Sequence, residues 1–130
     1  MKLITRDTDY AIRALRFIAK NRKKIITVSE LVKELRIRRP FLRKILQVLN
    51  KKGILKSYKG LGGGFELAHQ PQKIFLLDVM KIFQGKFKLS ECLLNKHICP
   101  NIKTCLLNKK IRKIERYIIE ELKTINISSL

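Results

Sequence analysis

Cys92, Cys99 and Cys105 are the only thiols in the chain and lie within fourteen consecutive positions. An odd number of clustered cysteines, with no export signal at the N-terminus, is a poor disulfide framework and a natural set of metal ligands in a reducing compartment, so a cytoplasmic protein is expected. The pattern Cys-x6-Cys-x5-Cys is too open for a thioredoxin-type pair and lacks the Cys-x2-Cys knuckles of structural zinc sites. Thiolates are the standard protein ligands of iron-sulfur clusters, and a set of three leaves one iron position to another ligand. His97 lies inside the cluster, so Cys92, His97, Cys99 and Cys105 also make a Cys3His set that suits zinc. Free structural or redox thiols are a third reading. His69 reads as a surface residue.

A second chemistry is polyanion binding. The formal charge is +20 from 30 Lys and Arg against 10 Asp and Glu. Residues 1–60 hold 18 basic and 4 acidic residues, against 12 and 6 in residues 61–130. Between Arg36 and Lys59 there are nine basic residues and no acidic one. Such a field favours a nucleic acid before any specific contact forms.

Helices and a hairpin are expected to position these residues. From Thr5 to Lys20 the apolar Tyr10, Ala11, Ala14, Leu15, Phe17 and Ile18 recur at helical spacing. Thr27-Val-Ser-Glu30 has the form of a capping box, with Val28, Leu31, Val32 and Leu35 as the buried stripe behind it. Pro40 suits the first position of a third helix whose core face is Leu42, Ile45, Leu46 and Leu49, and Gly53 supplies its left-handed stop. Ile54–Lys59 and Phe65–Ala68 about the run Gly60-Leu-Gly-Gly-Gly64 predict a β-hairpin. A brief helix through Leu77, Met80 and Phe83 follows, ending near Gly85. Residues 86–105 have weak periodicity, which in a loop this long suggests a function of its own. Leu107, Ile111, Ile114, Ile118, Leu122 and Ile125 then predict one long helix, and the tail Asn126 to Leu130 is expected to fray.

The fold class is therefore mainly α with a small β-hairpin, and the element order is that of a winged helix-turn-helix. Residues 1–85 form the DNA-binding part, 86–105 the cysteine-bearing loop, and 106–130 a long C-terminal helix and tail. Arg39, Arg43, Lys44, Gln47 and Lys51 fall off the apolar stripe of the third helix. Arg39 and Arg43 sit near its N-terminus, where recognition helices meet base edges, and arginine pairs bidentately with guanine. Arg38 precedes the same helix. Lys51, Lys52, Lys56 and Lys59 are placed to meet phosphates, with Gly62 and Gly63 at the wing tip.

Asp9-Tyr-Ala-Ile-Arg-Ala-Leu15, Phe41-Leu-Arg-Lys-Ile-Leu46, Lys59-Gly-Leu-Gly-Gly-Gly-Phe-Glu-Leu-Ala68 and the three late cysteines together resemble the bacterial Rrf2 winged-helix regulators, over almost the whole chain. The resemblance implies a homodimer crossed by the C-terminal helices, major-groove reading by the third helix, minor-groove contact by the wing, and an iron-sulfur cluster controlling DNA affinity. It also implies a fourth ligand. The histidine that some such regulators carry three residues past the last cysteine is Asn108 here, so the matching aspartate of the partner subunit's first helix, Asp9, is the expected ligand, with Asp7 nearby and His97 as the alternative. Without the histidine, a 4Fe-4S cube is favoured over a 2Fe-2S centre. The wing carries Lys59-Gly60 where Arg-Gly is usual.

A repressor of transcription that responds to nitric oxide, oxygen, redox or iron-sulfur status is thus expected, with double-stranded DNA as partner and no membrane or small-molecule substrate. A cluster- or electron-transfer protein, or a zinc-stabilised DNA-binding protein, is the competing class; the first leaves the basic helix unexplained. No enzyme is expected, because the chain has no Ser-His-Asp arrangement and no phosphate-cradling loop ahead of a helix.

Overall fold

Ala11 and Ala14 have no accessible surface, and with Leu15 and Ile18 they set the first helix, α1 (Arg6–Lys20), at the centre of the molecule. The computed structural model describes residues 3–21, 24–89 and 106–130. Around α1 pack α2 (Val28–Leu35), α3 (Arg39–Lys51), the hairpin β1 (Leu55–Tyr58) and β2 (Gly64–Leu67), and α4 (Leu76–Gln84). Small side chains at the crossing let neighbouring backbones approach, and the Leu and Ile of the outer helices fill the space between. The fold is mainly α with one two-stranded antiparallel sheet, as expected.

Local chemistry sets the boundaries. Thr27 Oγ1 accepts from the Glu30 backbone N–H at 3.1 Å and starts α2, a cap that contributes about 1 kcal/mol. The reciprocal half of the expected capping box is not formed, because the Glu30 carboxylate turns to Lys24 Nζ at 3.3 Å. Arg36 ends α2 in the left-handed region, φ 54°, so the turn into α3 is made without a glycine. Arg39 is the first residue of α3 and Pro40 the second, one position later than expected. At the other end Gly53, φ 79°, donates to the Asn50 carbonyl and Ile54 donates to the Leu49 carbonyl, both at 3.0 Å. This paired closure, which needs the left-handed residue, ends α3 and aims the chain straight into β1.

β1 is one residue shorter than expected at each end, and β2 keeps its length but begins and ends one residue earlier. Leu55 pairs Leu67, Lys56 pairs Glu66, Ser57 pairs Phe65 and Tyr58 pairs Gly64. A single bridge joins it to the chain before α2, Ile26 and Phe65 exchanging backbone bonds of 2.9 and 2.8 Å. Glycine is required at 64, since a Cβ there would lie 2.3 Å from the Ile26 carbonyl oxygen.

The long helix α5 (Leu106–Lys123) packs on α4 through its C-terminal half, where Leu122 is buried and Ile118 and Ile119 are half-buried. The tail does not fray. Ile127, 3 % exposed, enters the core, the Leu76 N–H donates to the Ile125 carbonyl, and the Ile127 N–H donates to the Ile74 carbonyl, each at 2.9 Å. An apolar residue in a short polar tail found a pocket against α1, which frequency arguments about chain ends do not foresee. No helix among the described residues is long and apolar enough to cross a membrane.

Candidate nucleic-acid interface

Burying Leu42, Ile45, Leu46 and Leu49 against α1 and β1 turns the opposite face of α3 outward. Arg38, Arg39, Arg43, Lys44, Gln47 and Lys51 are all exposed on it, and Lys56 and Lys59 are exposed on the hairpin. The four ion pairs among the described residues, Arg6–Asp7, Arg13–Asp9, Lys24–Glu30 and Lys123–Glu120, use none of these cations. Their positive charge is left for an external anion. Arg39 is the most constrained, its Nη2 donating to Ser29 Oγ of α2 at 2.9 Å.

Helix and wing face the same way. Arg43 and Gln47 of α3, with Lys59 and Gly63 of the wing, line one open cleft, together with Asn50, Ser57 and Tyr58. Lys44, Lys51 and Lys56 lie outside it, and Gly62 is exposed at the wing tip, φ 76°. Asn50, Tyr58 and Glu66 were not anticipated. The Tyr58 hydroxyl donates to Glu66 Oε1, and that bond, with partial desolvation and the carboxylate's charge, raises the phenol above its usual pKa of 10.0. Tyr58 therefore stays a neutral donor at the cleft wall. Tyr58 and Glu66 stand two residues outside the direct Tyr58–Gly64 and Lys56–Glu66 register pairs, a diagonal contact that pattern reading cannot locate without the register.

The start of α1 is held by a polar clamp. Gln84, the last residue of α4, accepts through Oε1 from Thr8 Oγ1 at 2.8 Å and from the Thr5 N–H at 3.1 Å, and its Nε2 donates to the Leu3 carbonyl at 3.0 Å. Thr8 is the one fully buried polar side chain among the described residues. The clamp ties the beginning of α1 to the point where the chain enters residues 86–105. Asp9, next to Thr8, is half-buried and pairs with Arg13 Nη2 at 3.0 Å, and Asp7 pairs with Arg6 at 3.5 Å. Arg6 also lies 4.9 Å over the Phe41 ring, joining the starts of α1 and α3. Cys92, His97, Cys99 and Cys105 lie outside the described residues, and Asn108 sits in the first turn of α5.

This architecture has counterparts. A family model, Rrf2, described as an iron-dependent transcriptional regulator, matches residues 4–130. The chain belongs to the Rrf2 family of transcriptional regulators. A putative HTH-type transcriptional regulator of Aquifex aeolicus is 36% identical over 123 residues, covering 93% of this chain and 85% of the relative. The HTH-type transcriptional regulator NsrR of Shouchella clausii is 32% identical over 110 residues, covering 84% of this chain and 70% of that protein. Among solved structures, CymR, the global cysteine regulator of Bacillus subtilis, superposes with a TM-score of 0.79 over 98% of this chain and 95% of that one, at 19% identity. At that identity the likeness speaks for the fold, which is the Rrf2 winged helix.

Proposed function

We propose that this Rrf2 regulator binds operator DNA in the cytoplasm as a homodimer, through α3 and the wing, and that an iron-sulfur cluster held by Cys92, Cys99 and Cys105 sets its affinity. The observation that carries the DNA reading is the acid-free run from Arg36 to Lys59, whose cations all stand exposed, most of them on the outer face of α3 and the adjoining hairpin. Arg39 and Arg43 read base edges, and Lys51, Lys56 and Lys59 meet phosphates. Dimerisation is supported by α5, on which Leu107 and Ile114 are 67% and 53% exposed one heptad apart. A solvated helix face does not usually carry such a stripe, and a second copy would cover it.

The donor chemistry fits the cluster: three thiolates are soft ligands for iron, and the family description is iron-dependent. Bound, the group would supply a redox- and nitric-oxide-reactive iron centre, with a 4Fe-4S cube preferred because Asn108 replaces the family histidine. Asp9 of the partner subunit is the proposed fourth ligand. Its carboxylate would have to leave Arg13 to serve. The Gln84 clamp then carries any displacement of residues 86–105 to Thr5 and Thr8, and from α1 to α3 through their shared core.

The test begins with anaerobically purified protein: its absorption spectrum, iron and sulfide content, mass by light scattering, and anisotropy of labelled duplex DNA at several salt concentrations. A brown dimer whose affinity falls steeply with log salt is expected. Cys99→Ala should be colourless, while Asp9→Ala should retain iron and lose the dependence of DNA binding on nitric oxide. A colourless parent carrying one zinc per chain refutes the cluster, and a parent that loses its response only through His97→Ala refutes Asp9 as ligand.

A further inference from the structure

The tip of the wing is built to hold out a single side chain. Of residues 60–64, Leu61 alone is not glycine, and it is 108% exposed, more than any other large apolar residue among those described. The turn that presents it is closed by the Gly63 N–H donating to the Gly60 carbonyl at 3.0 Å. Gly60 and Gly62 have φ of 89° and 76°, a region in which a side chain at either position would be strained. A Cβ on Gly63 would lie 2.3 Å from the Tyr58 carbonyl oxygen, so the turn also folds tightly back onto β1. The result is a tip only one backbone thick, with one leucine at its apex and the exposed Lys59 directly behind it.

We infer that Leu61 is an apolar wedge that enters the minor groove of the bound duplex, packs on its deoxyribose walls and partly opens one base step. The inference rests on the DNA reading above and adds to it a residue that selects for deformable sequence. Three features favour duplex DNA as the occupant over a second copy of the chain. The leucine leads a basic surface, with Lys59 behind it and Arg43 in the same cleft. The flanking glycines keep the tip thin enough for a groove about 6 Å wide, where a leucine between branched neighbours would not fit. Apolar side chains delivered to the minor groove on a basic scaffold are an established way to unstack a step, and flexible TA or CA steps yield most readily.

The experiment uses the full-length protein and a duplex selected by the parent protein from a random pool. Leu61→Ala, Leu61→Met and Lys59→Ala are compared by anisotropy across a salt series, with 2-aminopurine fluorescence placed at the step beneath the wing. Because Leu61 touches nothing in the core, the variants should keep the parent's circular dichroism. Leu61→Ala is expected to weaken binding roughly tenfold or more with an unchanged salt slope, and Leu61→Met to restore most of it. Lys59→Ala should lower the salt slope by about one. Replacing the flexible step by a stiff A-tract should weaken the parent and leave Leu61→Ala little affected, and the 2-aminopurine brightening seen with the parent should vanish. Leu61→Ala binding within about twofold of the parent overturns the wedge alone, as does a change in oligomer mass at unchanged DNA affinity, which gives the leucine to a second copy. A parent that selects no duplex removes the DNA reading and the wedge together.

Discussion

Replacing Gln84 by alanine tests how firmly α1 is fixed to the end of α4. The side chain accepts from Thr8 Oγ1 at 2.8 Å and from the Thr5 N–H at 3.1 Å, and donates to the Leu3 carbonyl at 3.0 Å. Each intramolecular bond contributes about 1 kcal/mol net, and a buried group left without its partner costs more. Leu3 is exposed, so water replaces that bond almost without loss. The Thr8 hydroxyl is fully buried but keeps Thr5 Oγ1 at 3.0 Å, which limits the penalty. The sum is roughly 2 to 3 kcal/mol, a substantial part of the 5–15 kcal/mol typical of a domain. Urea unfolding followed by circular dichroism should therefore show a midpoint lower by about 1 M. Removing both polar partners, as Gln84→Leu with Thr8→Val, should recover part of that loss, since an apolar group of similar shape then replaces the buried hydroxyl. A loss below about 0.5 kcal/mol for Gln84→Ala, or a double variant no more stable than the single, would show that the clamp does not hold α1.

Further outcomes follow from the same geometry. Gly64→Ala should cost about 2 kcal/mol or more and speed amide exchange at Ile26 and Phe65, because its Cβ would displace the Ile26 carbonyl; unchanged exchange refutes the close approach. Ile127→Ala should lower stability by about 2 to 4 kcal/mol in thermal or urea unfolding, where a frayed tail would give no change. Tyr58 should ionise above the ordinary tyrosine value in a spectrophotometric titration, and Tyr58→Phe should remove that late component. The sign is that of a group whose folded pKa is raised: the hydrogen bond to Glu66 is present below the ordinary tyrosine value and is lost as pH rises through the higher folded one.

Much of this was legible in the sequence because the patterns are local. The stripe Leu42, Ile45, Leu46 and Leu49, the stop at Gly53 and the glycine-rich tip between two apolar runs each act within a few residues, so α3 and the wing were placed nearly to the residue. Their joint exposure of Arg43, Gln47 and Lys59 followed once those faces were known. What was not legible depends on distant partners. Glu30 obeys the capping-box pattern but is drawn off by Lys24, a competition between two satisfactory bonds. Ile127 looks like any residue of a polar tail until the pocket beside α1 exists. Gln84 is one polar residue at a helix end, and only the fold brings it across 76 positions to Thr8.

The central position of α1 also governs how the protein can be made. The helix leaves the ribosome ahead of the elements its buried side chains rest on, α3, β2, α4 and the C-terminal turn. Between the end of α1 and the end of α4 lie 64 residues, from Lys20 to Gln84, which at ordinary translation rates take about 3 to 13 s to appear. Until Gln84 emerges, Ala11, Ile12, Leu15 and Ile18 are covered only in part, by α2, α3 and the hairpin as these appear, and a lone helix of this length is only marginally stable in water. The nascent chain thus carries a sticky, half-covered segment for seconds, and α1 is secured only after the elements that follow it. Slowing synthesis late in the message, between α3 and α4, should raise aggregation of this protein more than a pause of equal length after α4.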